Sequence, residues 1–222
     1  MDVKTFRAKY KGKSGFSGYP FDQERLIKGG ASVFKETGNK TTAKELKDIS
    51  KIKLSDNEDA VDVSDGACRE FCRRWVQARN TPEIAHTARG DNQNSGQPKE
   101  LAYLFDCRKE IVIRDALVRR GITDDSALIP GLARTVIRPD TVGALYDKLM
   151  KGRGTLAMVS VKWPTGFHMI AFDTRGCRTL TLFDPNHAQY WIDAGRSARD
   201  MVKDYFTLWE FALRLGYRFA RC

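Results

Sequence analysis

Apolar residues recur with two different periods along this chain, and the change of period divides it. Ala67, Phe71 and Trp75, interleaved with Cys68, Cys72 and Val76, stand three and four residues apart, which lays an apolar stripe along one face of a helix. Ser64 or Asp65 is placed to cap that helix, because a short side-chain oxygen accepts hydrogen bonds from the open N–H groups of a first turn. Residues 100–120 carry a second helical pattern, broken near Arg108 and ended by Gly121. A third runs from Pro139 to Lys151, with Val142, Leu145 and Leu149 inward and Gly152 at its end. From Thr155 the period drops to that of strands. Thr155 to Trp163, Phe167 to Phe172 and Cys177 to Phe183 predict three strands, joined by turns at Pro164-Thr165-Gly166 and Thr174-Arg175-Gly176. Asp184-Pro185-Asn186-His187 breaks the third, and Gln189 to Ile192 makes a short fourth. A helix follows from Ala198 to Leu215, with Met201, Tyr205, Leu208, Trp209 and Ala212 on one face; Gly216 stops it before a last strand at Tyr217 to Ala220. Helices first, then an antiparallel meander with a late helix, make an α+β layout.

Residues 1–60 have another texture. Lys4, Arg7, Lys9, Lys11 and Lys13 are mixed with Gly12, Gly15, Gly18 and Pro20, and one short amphipathic helix is predicted near Thr42 to Ile52. The segment is expected to be a basic, loosely ordered N-terminal extension, with Lys28-Gly29-Gly30-Ala31 as an accessible proteolytic site. A single folded domain is expected over 61–222, with a long polar loop at Asn80 to Pro98. The 222 residues suffice for one substantial core. The longest apolar segments are strand-sized, so no transmembrane segment is predicted, and the opening residues lack the apolar stretch of a signal peptide.

The formal net charge is +10. Such a balance invites an anionic partner, yet acids are interleaved with the bases. No RNA-binding aromatic motif, Cys/His finger or glycine-rich phosphate loop occurs. No specific nucleic-acid partner and no cofactor are therefore expected. The five cysteines, at 68, 72, 107, 177 and 222, make a poor disulfide framework, which points to a protein working with reduced thiols. Cys68 and Cys72 lie one helical turn apart with no second Cys/His pair to match, so no metal site is predicted.

Candidate chemistry starts at Cys68. A thiol in the first turn of a helix faces the positive end of the helix dipole, which favours the nucleophilic thiolate. Such a nucleophile needs a base and a group to orient the base. Of the three histidines, His86 falls in the polar loop and His187 in a turn, while His168 lies on an otherwise apolar strand. Reflection about the turn at 175–176 places His168 opposite about residue 183, beside Asp184 at the end of the next strand. A carboxylate there can hold one imidazole nitrogen and fix the tautomer.

These residues resemble the YopT/AvrPphB-type cysteine proteases, a branch of the papain-like superfamily made of bacterial effectors delivered into other cells. The resemblance lies in Gly66-Ala67-Cys68 followed by Trp75, in Gly166-Phe167-His168-Met169-Ile170-Ala171, and in Leu182-Phe183-Asp184-Pro185-Asn186, and it covers about residues 60–220. It implies a papain-like fold, in which a helical part carrying the nucleophile helix packs on an antiparallel sheet. Cys68 would be nucleophile, His168 general base and acid, and Asp184 the orienter. It further implies a thiol endopeptidase secreted without a signal peptide and acting on a protein in the cytoplasm of a host or target cell. An inhibitory or immunity protein would be a second partner. One departure stands out. Papain-like enzymes usually place an amide side chain a few residues before the nucleophile to bind the oxyanion, and Asp62, Val63 and Ser64 stand there instead. The Cys68 N–H supplies one donor; the second is Ser64 or a distant group. Two alternatives remain open: a glutamine deamidase or acyltransferase using the same three residues through a thioester, and a non-enzymatic basic binding module.

Overall fold

The computed structural model describes residues 3–28, 67–81, 83, 98–119, 133–137, 142–151, 156–163, 166–175 and 178–214. The described residues fall into two compact units. One gathers residues 3–20, those between 133 and 184, and 188–214; the other gathers 21–28, those between 67 and 119, and 185–187. Helix and sheet combine in the α+β arrangement that the change of period predicts.

The first unit is built on a six-stranded sheet. Its strands are β1 (Ser17–Pro20), β2 (Ala133–Ile137), β3 (Leu156–Trp163), β4 (Gly166–Asp173), β5 (Thr179–Asp184) and β6 (Ala188–Asp193). Their order is β1-β6-β5-β4-β3-β2. All neighbours are antiparallel except β2 and β3, which run parallel. The expected all-antiparallel sheet is thus corrected at one edge. Helix α6 (Val142–Lys151) is the crossover between β2 and β3, as a parallel connection requires.

Register decides which side chains share a face. Phe172 pairs with Leu182, Leu182 with Tyr190, and Asp184 with Ala188. With a period of two, His168, Ile170, Phe172, Leu180, Leu182, Asp184, Ala188, Tyr190 and Ile192 all stand on one face. The apolar members join Phe6 and Tyr10 of α1 (Val3–Tyr10), Leu145 and Leu149 of α6, and Met201, Val202 and Tyr205 of α7 (Arg196–Arg214) in one buried core. Residues 3–20 are therefore not a loose extension. Phe6 and Tyr10 stand one turn apart, and Phe6 meets the rings of Tyr10, Tyr190 and Tyr205 with centroids 5.1–5.5 Å apart. Gly18 of β1 lies against Tyr190, where an added Cβ would come within 2.7 Å of the ring. Burial of two aromatic side chains outweighs the Lys- and Gly-rich composition that suggested disorder.

The second unit is helical: α2 (Gln23–Lys28), α3 (Cys68–Asn80), α4 (Lys99–Asp106) and α5 (Arg108–Arg119). The predicted break near Arg108 falls at Cys107, between α4 and α5. Phe71, Trp75 and Val76 of α3 are buried as the stripe predicts. Charge is also buried here. Glu70 is 3 % exposed. It accepts Arg73 Nε at 2.6 Å and a second Arg73 bond, and Arg74 and Arg114 each approach it at 3.4 Å. Asp115 is likewise buried and pairs with Arg119 at 2.9 Å. Burial raises its pKa to about 6, and Arg119 and Arg69 only partly oppose the rise.

Among the described residues, no helix is long and apolar enough to cross a membrane. The expected helix at Thr42 to Ile52, most of the 80–98 loop, the strand at Tyr217 to Ala220 and the proteolytic site at residues 28–31 lie wholly or largely outside the described residues.

Candidate active site

Each unit holds part of the candidate chemistry. In the sheet unit, β4 is apolar through Met169, Ile170, Ala171 and Phe172, all buried. His168 is only 1 % exposed at the near end of that run, and Asp184, fully buried, closes β5. The pairing of Ala171 with Phe183 sets a register three residues away from the one the reflection assumed, because the turn between β4 and β5 is centred later in the chain. An odd shift changes the face: the reflection would have set Asp184 on the far side of the sheet from His168, whereas the observed register puts the two on one side. Asp184 lies diagonally across from His168 on the same face, within side-chain reach. His168 Nε2 is 2.9 Å from Asp184 Oδ1. The other carboxylate oxygen, Oδ2, accepts a hydrogen bond from Tyr205 Oη at 2.5 Å. A buried carboxylate needs such donors, since leaving water penalises its charge. With the Asp184 oxygen as acceptor, Nε2 is the donor of this contact and Nδ1 is left with its lone pair.

In the helical unit, Cys68 is buried as the first residue of α3. The cap is Ala67, with no side-chain cap bond, so the helix opens later than Ser64 or Asp65 would have set it. A side chain from elsewhere serves this start. Ala67 N–H donates to Gln23 Oε1 at 2.9 Å. Gln23 is fully buried; its Nε2 donates to Asn186 Oδ1 at 2.5 Å and its backbone N–H to the Pro185 carbonyl at 2.7 Å. Phe21 N–H binds the His187 carbonyl at 3.1 Å. An amide side chain thus stands at the residue before Cys68 and ties it to the Pro185–His187 segment.

The cysteines depart from expectation. Cys68 is disulfide-bonded, its partner sulfur lying outside the described residues. The inference of uniformly reduced thiols is corrected at the very residue proposed as nucleophile. An odd, scattered count argues against a framework of bridges but not against one bridge, because sequence spacing says nothing of which Cβ atoms meet in space. Cys72 and Cys107 are not disulfide-bonded. Cys72 is buried one turn into α3. Burial raises the Cys107 pKa to about 11, against the lowering by Arg74, so it stays protonated near neutrality.

The structure therefore joins His168 to Asp184 and places Cys68 in the other unit. Ser64 and His86 lie outside the described residues. Gln23 and Tyr205 were not singled out as site residues from sequence. Tyr205 had a weak signal: a phenol on the apolar stripe of a helix must find a partner for its hydroxyl. Gln23 had none, for its role depends on contacts remote in sequence. Among the described residues, no group of three or more His, Cys, Asp or Glu side chains could hold a metal ion. No protein-family model, no curated protein and no solved structure matches this chain.

Proposed function

We propose that this protein is a thiol endopeptidase with a papain-like arrangement, in which Cys68 is the nucleophile, His168 the general base and acid, and Asp184 the orienter. The buried His168–Asp184 pair at 2.9 Å carries this proposal. It is a titratable pair set into an otherwise apolar sheet face, with the tautomer that leaves Nδ1 to exchange protons. The thiol's place at the start of α3 supports it, as does the buried amide of Gln23 beside Ala67.

The chemistry begins from reduced protein: a thiol reductant opens the Cys68 disulfide by exchange. His168 Nδ1 takes the Cys68 proton, and the thiolate sulfur attacks the carbonyl carbon of a peptide bond. The oxyanion that forms is met by the Cys68 backbone N–H and the Gln23 amide, in place of the donor sought at Ser64. The C–N bond breaks as the imidazolium returns its proton to the leaving amine, and a thioester remains. Water, deprotonated by His168, attacks the thioester carbon and releases the acid and the thiol. As a secreted effector it would act on a protein of a host or target cell, open to restraint by an inhibitory or immunity protein.

The test compares wild type with Cys68→Ala under a thiol reductant. New protein N-termini across the proteome of treated cells should appear with wild type and vanish with the variant. Identical N-termini in both would end the proposal. A gain of about one dalton on an intact target, lost in the variant, would move the same three residues to glutamine deamidation.

A further inference from the structure

We propose that Tyr205 is a positioning residue of this site: its phenol holds Asp184 so that Oδ1 is presented to His168 Nε2. Tyr205 projects from the inward face of α7 and is fully buried. Its ring is wedged among Phe6, Tyr190 and Phe206, with centroids 5.5, 5.9 and 6.3 Å away. Every one of those contacts would be served by a phenylalanine. The hydroxyl is the part that apolar packing does not explain, and burying it is unfavourable unless it is bonded. It donates to Asp184 Oδ2 at 2.5 Å, while Oδ1 faces His168. The two oxygens of one carboxylate are thus each held by a different element, Oδ2 by α7 and Oδ1 by β4.

That division fixes the carboxylate plane. An aspartate held at one oxygen alone can turn about its side-chain torsions, and the imidazole hydrogen then loses a constant acceptor. Held at both, it is pre-organised, and two donors sustain its charge in a site closed to water. Tyr205 acts through Asp184 on the ring of His168. Its catalytic meaning rests on the protease proposal above, but its geometry does not involve Cys68.

The experiment follows the imidazole directly. The full reduced chain is labelled with ¹⁵N-histidine, and exchange of the His168 Nε2 proton with water is measured at one neutral pH in wild type and Tyr205→Phe. The wild-type proton should be hydrogen-bonded and protected. In the variant its exchange should quicken by roughly tenfold or more, the size expected for a lost bond to a charged group, with the backbone spectrum preserved. Equal exchange rates in two folded proteins would overturn the proposal. Should the variant not fold, the wild type alone decides: a slowly exchanging Tyr205 hydroxyl proton supports the bond, and a freely exchanging one refutes it. If Cys68→Ala leaves cleavage intact, the protease proposal fails while the imidazole result still stands or falls by itself.

Discussion

The two units bury polar groups in different settings. In the helical unit, buried carboxylates are balanced by arginines: Glu70 by Arg73, Arg74 and Arg114, and Asp115 by Arg119 and Arg69. Helices α3 and α5 are laced together through these contacts. In the sheet unit, α1, α6 and α7 close over an apolar face, and the arginine pair between α7 and α6, Arg199 with Asp147, is exposed rather than buried. Yet that face carries His168 and Asp184 with Tyr205 behind them. Replacing a buried charged pair by hydrocarbon is often neutral for stability, so a pair set into a good apolar surface points to chemistry. The pairs of the helical unit point to architecture. Where polar groups are buried matters less than what the neighbouring positions would have supported without them.

The contrast can be broken by exchanging activity for stability. His168→Asn removes the proposed base but keeps a polar group beside Asp184. Cleavage should fall by roughly 10²–10⁴-fold, with the unfolding midpoint close to wild type. Glu70→Gln in the other unit should do the reverse. It should lower unfolding free energy by roughly 1–3 kcal/mol, because three guanidinium groups lose a charged acceptor, while cleavage per folded molecule falls far less. Denaturant titration beside a cleavage assay measures both. A pair of results in which each variant harms stability and activity alike would erase the distinction between the units.

The smallest effect sharpens the same comparison through pH. Burial lifts Asp115 from 3.8 to about 6 in the folded state. Below pH 4 the group is protonated whether folded or not, and its burial carries no charge penalty. Between pH 4 and 6 the unfolded chain releases this proton while the fold retains it, so the group's contribution to stability declines as pH rises. Above 6 the penalty is complete. The unfolding free energy of wild type minus that of Asp115→Asn should therefore fall across pH 4–6 and level off beyond. A flat difference would mean that Arg119 and Arg69 fully offset the burial.

Much of the sheet was legible because β3 to β6 are short apolar runs bounded by turn residues, and this was enough to bring His168 near Asp184 although not to fix their register. The Cys68 helix was legible from its stripe. What escaped notice depends on partners remote in sequence. Phe6 and Tyr10 stand among lysines and glycines, and only Tyr190 and Tyr205, far along the chain, reveal that they are core. Strand β2 pairs in parallel through a crossover helix, a long-range contact with no hairpin to announce it. Gln23 was missed because its bond to the Ala67 N–H joins residues 44 apart in sequence. The oxidation of Cys68 was invisible for the same reason.

The central claim is that the Cys68 sulfur and the His168 imidazole act as one proton-sharing pair. Alkylation of the reduced chain by iodoacetamide, followed at Cys68 by peptide mass spectrometry from pH 5 to 9, tests it without a substrate. In wild type, Cys68 should react rapidly well below pH 7, with a plateau lost in His168→Ala, whose rate should climb about tenfold per pH unit toward the ordinary thiol pKa of about 8.5. Superimposable profiles for the two proteins would contradict it.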